Sequence, residues 1–171
     1  MKSHGGVRSI VVLGVGNTIM QDDGVGVLAV RALAQNYDLP PHVRLIQGGV
    51  AGLGLLWDLE RADDLLIIDA VDGTGPPGTL YRFGPQNLPK TSRRFISAHD
   101  MGMAEVLSMM DLLGKQPHTR IIGIQPLENR KMGLELTPLL REALPRVVAA
   151  VVEELQALGV EVLGRKEIRH A

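Results

Sequence analysis

Short apolar runs alternate with amphipathic segments along most of the chain, a pattern typical of a sheet built from strand–helix units. The first apolar run, Val11–Leu13, ends abruptly in the cluster Gly14–Asn17. We predict a buried strand in this run, a turn at the glycines, and a helix from about Gly24 to Gln35.

The later segments continue the alternation. Apolar runs predict three more strands, at Val43–Ile46, Leu65–Ile68 and Arg120–Ile124. A further strand, at Thr79–Phe83, is predicted outside the strict alternation. Apolar residues at helical spacing predict a short helix over Ala51–Leu59 and a longer one over Met101–Leu113. The segment Pro85–Phe95 is polar and irregular.

The last helical region has its own start and stop signals. Thr137 is the predicted N-cap, and Pro138 takes the first helical position. We expect Pro145 to kink or split this helix and Gly159 to end it. Its apolar face is formed by Leu140, Leu144, Val147, Val148, Val151 and Leu155.

Together these elements predict a single doubly wound α/β domain with three layers and a central, mostly parallel, twisted sheet. A chain of 171 residues fits one domain, which we expect to span residues 1–171. Residues 1–7 and 164–171 are expected to be flexible tails.

The composition narrows the function classes. The chain has 18 basic and 19 acidic residues, a net charge of −1, so nothing in its charge balance suggests a nucleic-acid-binding surface. It has no cysteine, which excludes disulfides, a thiol nucleophile and thiolate metal ligands. The start has no signal-peptide pattern, and the run Ile10–Gly16 is too short to span a membrane. We expect a cytoplasmic protein.

Asp22 and Asp23 follow the first strand, where ligands collect in open α/β sheets. Carboxylates in front of a helix are also common N-caps, so either a cap or a site is possible here. Gly24 and Gly26 lower helix stability in the first turn, and capping does not need them. Close approach of another backbone or of a ligand would need them.

Two later positions complete a candidate metal site. Asp69 closes the run Leu65–Ile68, and it faces either the crevice or a neighbouring loop; Asp72 is a competitor. His99 lies at the start of the next predicted helix, where the helix dipole disfavours imidazolium and leaves a lone pair for a metal. Two carboxylates and one imidazole would make an oxygen–oxygen–nitrogen ligand set with vacant positions.

Other chemistries fit poorly. The pair Gly14 and Gly16 lacks a third glycine at Ile19, so the dinucleotide-binding pattern is incomplete. The chain has no phosphate-binding P-loop, no His-Glu-x-x-His zinc motif and no Gly-x-Ser-x-Gly nucleophile elbow.

The sequence resembles a known family, the maturation endopeptidases of [NiFe] hydrogenases. Six motifs occur in the family's order between about residue 9 and residue 158. They are Leu13–Asn17 with Asp22–Gly26, Gly48–Gly52, Ile67–Val71 with Pro77–Thr79, Ser97–Gly102, Gly123–Pro126 and Gly133–Pro138. The resemblance implies a phosphorylase/hydrolase-like fold.

The resemblance also implies a ligand set. In the family an acidic residue of the first motif, an Asp after the third strand and a His at the later helix start bind a metal ion. These positions are Asp23, Asp69 and His99 here, and they are the expected catalytic and metal-binding residues. The first ligand is commonly Glu; because Asp23 is one methylene shorter, Asp22 could take its place. Several relatives have an acidic residue where this chain has Gln47, so that residue's role does not carry over.

The family removes the C-terminal extension of a [NiFe] hydrogenase large-subunit precursor after nickel insertion. The resemblance therefore implies an endopeptidase whose partner is this precursor, whose nickel comes from the substrate, and which needs no organic cofactor. Hydrolysis would use a metal-polarised carbonyl or metal-activated water, or carboxylate acid/base chemistry of the aspartyl-protease kind.

Two other functions stay open at this stage. One is a non-catalytic small-ligand or metal-binding module of the same fold, with Asp23 and Asp69 as structural caps. The other is a peptidase relative with a non-hydrogenase substrate. For an endopeptidase, the loop Asp72–Gly78 and the segment Pro85–Arg94 are exposed candidates for contact with the substrate.

Overall fold

The computed structural model describes residues 6–87 and 103–165. In chain order its strands are β1 (Ile10–Val15), β2 (Tyr37–Asp38), β3 (Val43–Gly49), β4 (Asp64–Ala70), β5 (Leu80–Phe83), β6 (His118–Ile124) and β7 (Leu163–Gly164). Its helices are α1 (Val25–Asn36), α2 (Leu56–Leu59), α3 (Met103–Leu112) and α4 (Pro138–Ala157). Within these ranges no helix is both long enough and apolar enough to cross a membrane.

The central sheet has the order β3–β1–β4–β6–β5. β1, β3, β4 and β6 are parallel, whereas β5 pairs antiparallel with β6 at the sheet edge. The prediction of a mostly parallel sheet is therefore confirmed, and so is the expectation that the strand near Thr79–Phe83 lies outside the alternation.

The strands bury both faces of the sheet, as their near-continuous apolar sequences predict. Along β4, Leu66 and Ile68 pack into one core, which α1 and α4 cover. Leu65 and Ile67 face the other core, which α2 and α3 cover. This arrangement is a three-layer, doubly wound domain.

Two helices differ from the sequence prediction. Residues Ala51–Leu59 do not form one helix, since a 3₁₀ turn over Gly52–Leu55 precedes the short α2. Pro145 does not split α4, which continues through it without a break. Pro145 is exposed, as is Arg141, whose carbonyl group loses its helical N–H partner, while the apolar side of the helix stays packed on the sheet.

The ends of α4 agree with the sequence signals. The hydroxyl of Thr137 accepts a hydrogen bond from the main-chain N–H of Leu140, and Pro138 opens the helix. After Leu158, Gly159 has a φ of +82° and its N–H donates to the carbonyl of Gln156. The N–H of Val160 donates to Leu155, which completes a Schellman motif.

The predicted C-terminal tail begins too early. Gly164 pairs with Tyr37 in the two-stranded β2–β7 sheet, and Arg165 forms an ion pair with Asp38 at 2.6 Å. Gly164 and Arg165 are therefore part of the fold and do not belong to a tail. Of the predicted irregular segment, Pro85–Asn87 forms a 3₁₀ turn; the remainder, like His99, lies outside the described residues.

Gly24 and Gly26 lie where α1 begins, against the ends of the strands. A methyl group at Gly24 would lie 2.8 Å from the Cα of Thr18, and one at Gly26 would overlap the carbonyl oxygen of Ile68. The carbonyl oxygen of Val15 would lie 2.5 Å from the same Gly26 methyl. The close approach that the sequence left open is therefore one of backbone against backbone, and it brings α1 onto the ends of β1 and β4.

We expect Gly26→Ala to lower the free energy of unfolding by about 1–3 kcal/mol, because the added methyl overpacks against two carbonyl groups. Gly54→Ala is the matched control, since its methyl would meet only the Cβ of Ala51 at 3.9 Å. Urea denaturation of both variants tests the difference. A Gly26→Ala protein at least as stable as wild type would mean that helix propensity outweighs packing there.

Candidate functional site

Asp23 and Asp69 lie at the same edge of the central sheet, the one formed by the carboxyl ends of its parallel strands. Asp23 belongs to the 3₁₀ turn Gln21–Gly24, which follows β1, and Asp69 is the penultimate residue of β4. β1 and β4 are parallel neighbours, so their carboxyl ends meet at one edge, and the 3₁₀ turn contacts β4 there. This edge is where ligands bind in open α/β sheets.

Asp23 is half-buried, and its position is set by the turn after β1. Its Oδ2 accepts a hydrogen bond from the main-chain N–H of Asn17 at 2.8 Å. Gly16 has a φ of +121°, and a side chain there would overlap the carbonyl oxygen of Asp23. Only glycine therefore lets the chain fold back closely enough to present Asp23 at the strand end.

Asp69 is also half-buried, and it comes from a rigid central strand. Its partner in the ladder is Gly123 of β6. By the alternation of β4, Asp69 lies on the face of Leu65 and Ile67, the face that α3 covers. Asp72, the competing carboxylate, is exposed in the following loop, where its Oδ1 lies 3.5 Å from the side-chain amide nitrogen of Gln125.

Asp22 has a different role from its neighbour. It is fully buried, and its Oδ2 accepts hydrogen bonds from the N–H groups of Leu127 and Glu128, both at 3.0 Å. Thr137 donates twice, from its N–H to Oδ1 at 2.8 Å and from its hydroxyl to Oδ2 at 2.9 Å. Four hydrogen bonds thus engage the carboxylate of Asp22, whereas the prediction of a metal ligand rests on Asp23.

The capping alternative for the two aspartates is wrong. The N-cap of α1 is Gly24, and no side chain donates or accepts a capping hydrogen bond there. The carboxylates instead bind N–H groups outside the helix, at Asn17 for Asp23 and in the segment 127–137 for Asp22. Residue preferences at helix starts could not distinguish an N-cap from the hydrogen bonds that Asp22 makes to residues more than a hundred positions away.

Besides the hydrogen bonds of Asp22, a second set joins the turn after β1 to the segment 127–137, and the sequence did not predict it. Gln21 has a φ of +47°, which is uncommon for a residue other than glycine. Its N–H donates to the carbonyl of Gly133, and the N–H of Gly133 donates to Ile19. The motif Gly133–Pro138 was a visible signal, but the sequence does not show that it pairs with the turn after β1.

The described residues contain only part of the expected ligand set. Within 6–87 and 103–165, no group of three or more His, Cys, Asp or Glu side chains could hold a metal ion. His99, the third expected ligand, lies outside these ranges. Gln47 is exposed, and its amide oxygen accepts a hydrogen bond from Arg31 of α1 at 3.2 Å. As a neutral amide, it adds no carboxylate to the candidate site.

The segment beside Asp22 carries its own charged network. The backbone N–H of Arg130 donates to the carboxylate of Glu128, and the Nζ atom of Lys131 lies 3.4 Å from Oε2 of the same carboxylate. Together these contacts hold the pKa of Glu128 below its ordinary value. Glu128 is thus an acceptor already engaged by neighbours of its own segment.

A separate surface cavity of about 540 Å³ lies at the opposite edge of the sheet, near the start of β6. Arg82 and Arg120 line it, and both bind the buried carboxylate of Glu154, at 3.3 and 2.8 Å. Arg82 also pairs with Glu153, so two carboxylates balance the two arginines that line this cavity. The carboxylates at the other edge are the better candidate site.

Comparisons with known proteins place this architecture. The chain matches the model of the hydrogenase maturation protease family over residues 27–154. It is 36% identical over 161 residues to the hydrogenase 2 maturation protease of Escherichia coli K12, covering 93% of this chain and 98% of that protein. It is 38% identical over 158 residues to HupD of Bradyrhizobium diazoefficiens, a hydrogenase expression/formation protein, covering 91% and 82%. The solved structure of the E. coli endopeptidase HybD has a TM-score of 0.83 at 35% identity, covering 93% and 98% of the two chains.

We expect Thr137→Val to lower the free energy of unfolding by about 1–2 kcal/mol, because it removes both the N-cap of α4 and a hydrogen bond to Asp22. Thr137→Ser keeps the hydroxyl and should remain close to wild type. Chemical denaturation compares the two variants. Equal losses in Ser and Val variants would attribute the contribution to methyl packing instead.

Proposed function

The chain belongs to the hydrogenase maturation protease family, and from this premise we propose that it removes the C-terminal extension of a [NiFe] hydrogenase large-subunit precursor after nickel insertion. The observation that carries the proposal is the pair Asp23 and Asp69 at the carboxyl ends of adjacent parallel strands. Both carboxylates are half-buried and positioned by backbone, one in a tight turn and one in a central strand.

The donor chemistry fits a metal that arrives with the substrate. Two carboxylates and the imidazole of His99 would leave vacant positions for ligands of the precursor. His99 precedes α3 in the sequence, and α3 packs on the face of the sheet to which Asp69 belongs. A precursor without nickel would lack this bridging contact and bind weakly, so cleavage would follow only after the metal has been inserted.

The peptide bond is then broken by addition of water. The water oxygen adds to the carbonyl carbon of the scissile bond, the C–N bond breaks, and the leaving nitrogen takes a proton. Two routes fit the residues: the substrate's nickel polarises the carbonyl or activates the water, or a carboxylate serves as general base and the nickel serves only recognition. In both routes Asp23 and Asp69 are the side chains that meet the reacting region.

Recognition of the precursor needs protein surface near these carboxylates. The loop Asp72–Gly78 follows β4 and is largely exposed, yet it is held in place. Gly73 donates its N–H to the side chain of Gln125 at 2.6 Å, and Gly75 donates to the hydroxyl of Tyr81 at 2.7 Å. This loop is our proposed contact for the precursor.

We place the reaction in the cytoplasm, since a chain without cysteine fits a reducing compartment.

We expect Asp23→Asn, Asp69→Asn and His99→Ala each to lower cleavage of nickel-loaded precursor by more than about 100-fold, because each removes a metal ligand or an acid/base group. Intact mass spectrometry of the precursor measures the released extension. Asp58→Asn, which changes an exposed carboxylate of α2, and His118→Ala are the matched controls, and both should cleave at the wild-type rate. Wild-type cleavage by any of the three site variants would remove that residue from the site.

We also expect the purified protein to contain little metal and yet to cleave nickel-loaded precursor, because resident catalytic zinc usually has two or three histidine ligands. Elemental analysis of the purified protein measures the first part, and incubation with nickel-free precursor provides the comparison. Stoichiometric, tightly held metal together with cleavage of nickel-free precursor would contradict recognition through the substrate's nickel.

A further inference from the structure

Asp22 differs from the other buried carboxylates of the described ranges in the nature of its partners. Asp64 binds Arg8 through both oxygens, at 2.7 and 2.9 Å, and Glu154 binds two arginines. The hydrogen-bond partners of Asp22 in these ranges are instead neutral, three backbone N–H groups and one hydroxyl. Asp22 therefore fastens pieces of main chain together, whereas the other two carboxylates pair with side-chain charges.

The main chain that Asp22 fastens is the one that carries Asp23. Both residues belong to the four-residue turn Gln21–Gly24. The N–H of Asp22 also donates to the carbonyl of Glu128, and the N–H of Gln21 donates to Gly133. Two consecutive residues before Asp23 are thus tied to the segment 127–137 by backbone as well as by side chain. Any shift of Asp22 must therefore move the backbone from which Asp23 projects.

We infer that Asp22 is a positioning residue of the protease: it holds the backbone of Asp23 so that this carboxylate meets the metal of the substrate. The inference rests on the proposed function of Asp23. Asp22 itself does not touch the metal or the peptide, because four hydrogen bonds occupy its oxygens. It acts only through the geometry of its neighbour, and it couples that geometry to the start of α4 at Thr137.

Asp22→Asn tests this with almost no change of volume. An amide group has only one acceptor oxygen, so in either orientation its NH₂ group faces at least one main-chain N–H that the carboxylate satisfied. Asp64→Asn is the matched control: it alters a carboxylate that is also buried, 2% exposed, and it breaks a hydrogen bond at the opposite edge of the sheet. Thermal melts test whether both variants are folded at the assay temperature.

Two quantities are then measured on the full chain: kcat/KM for nickel-loaded precursor, and binding of free Ni²⁺ followed by paramagnetic broadening of the Asn17 amide resonance. Because displaced ligand supports typically cost 10–100-fold in metal affinity, we expect Asp22→Asn to lose about 10–100-fold in both. Asp64→Asn should lose stability only. Wild-type values for Asp22→Asn in both measurements would overturn the inference, as would equal losses in Asp22→Asn and Asp64→Asn.

Asp23→Asn separates the inference from the proposed function. If Asp23→Asn retains cleavage and Ni²⁺ binding, the proposed function fails and the inference with it. If Asp23→Asn loses both while Asp22→Asn retains both, only the positioning role is wrong. Should Asp22→Asn not fold, Thr137→Val removes one of the four hydrogen bonds, and we expect a smaller loss in the same two quantities. Unchanged values in that variant would overturn the inference.

Discussion

The buried carboxylate of Asp22 joins three parts of the chain that are far apart in sequence. It belongs to the turn after β1, and it accepts hydrogen bonds from the segment that follows β6 and from the first residue before α4. The carboxylate is fully buried, and a buried polar group left without a partner costs about 1–3 kcal/mol, so its donors must keep one arrangement around it. The sheet edge that carries Asp23 owes its shape to this constraint.

The glycines around the end of β1 make that edge compact enough to be a site. A side chain at Gly14 would overlap the carbonyl oxygen of Gly26, and one at Gly16 would overlap that of Asp23. Strand end, turn and helix start therefore touch through their backbones, with no side chain between them. As a result the turn bearing Asp23 lies against β4, the strand that bears Asp69. The geometry of the candidate site therefore depends on these glycines as much as on the two carboxylates.

The site was only partly readable from the sequence. Asp23 and Asp69 could be selected because residues at strand ends meet at one edge of a parallel sheet, and the structure places both there. Their roles as ligands, like that of His99, stay predictions. Asp22 could not be separated from Asp23, because adjacent identical side chains differ only in which way the turn points them. Burial and four donors distinguish Asp22, and these donors lie more than a hundred residues away.

By itself the sequence determined what depends on local physics. Apolar runs of strand length determined the buried strands, and Thr137, Pro138 and Gly159 determined the ends of α4, because caps and φ preferences act within a few residues. Only the tertiary structure decided that α4 continues through Pro145 and that Gly24 and Gly26 serve close packing. It also decided that Asp22 is a structural anchor. Each of these depends on which distant backbone lies opposite, because packing and buried hydrogen bonds join groups by proximity in space and not in sequence.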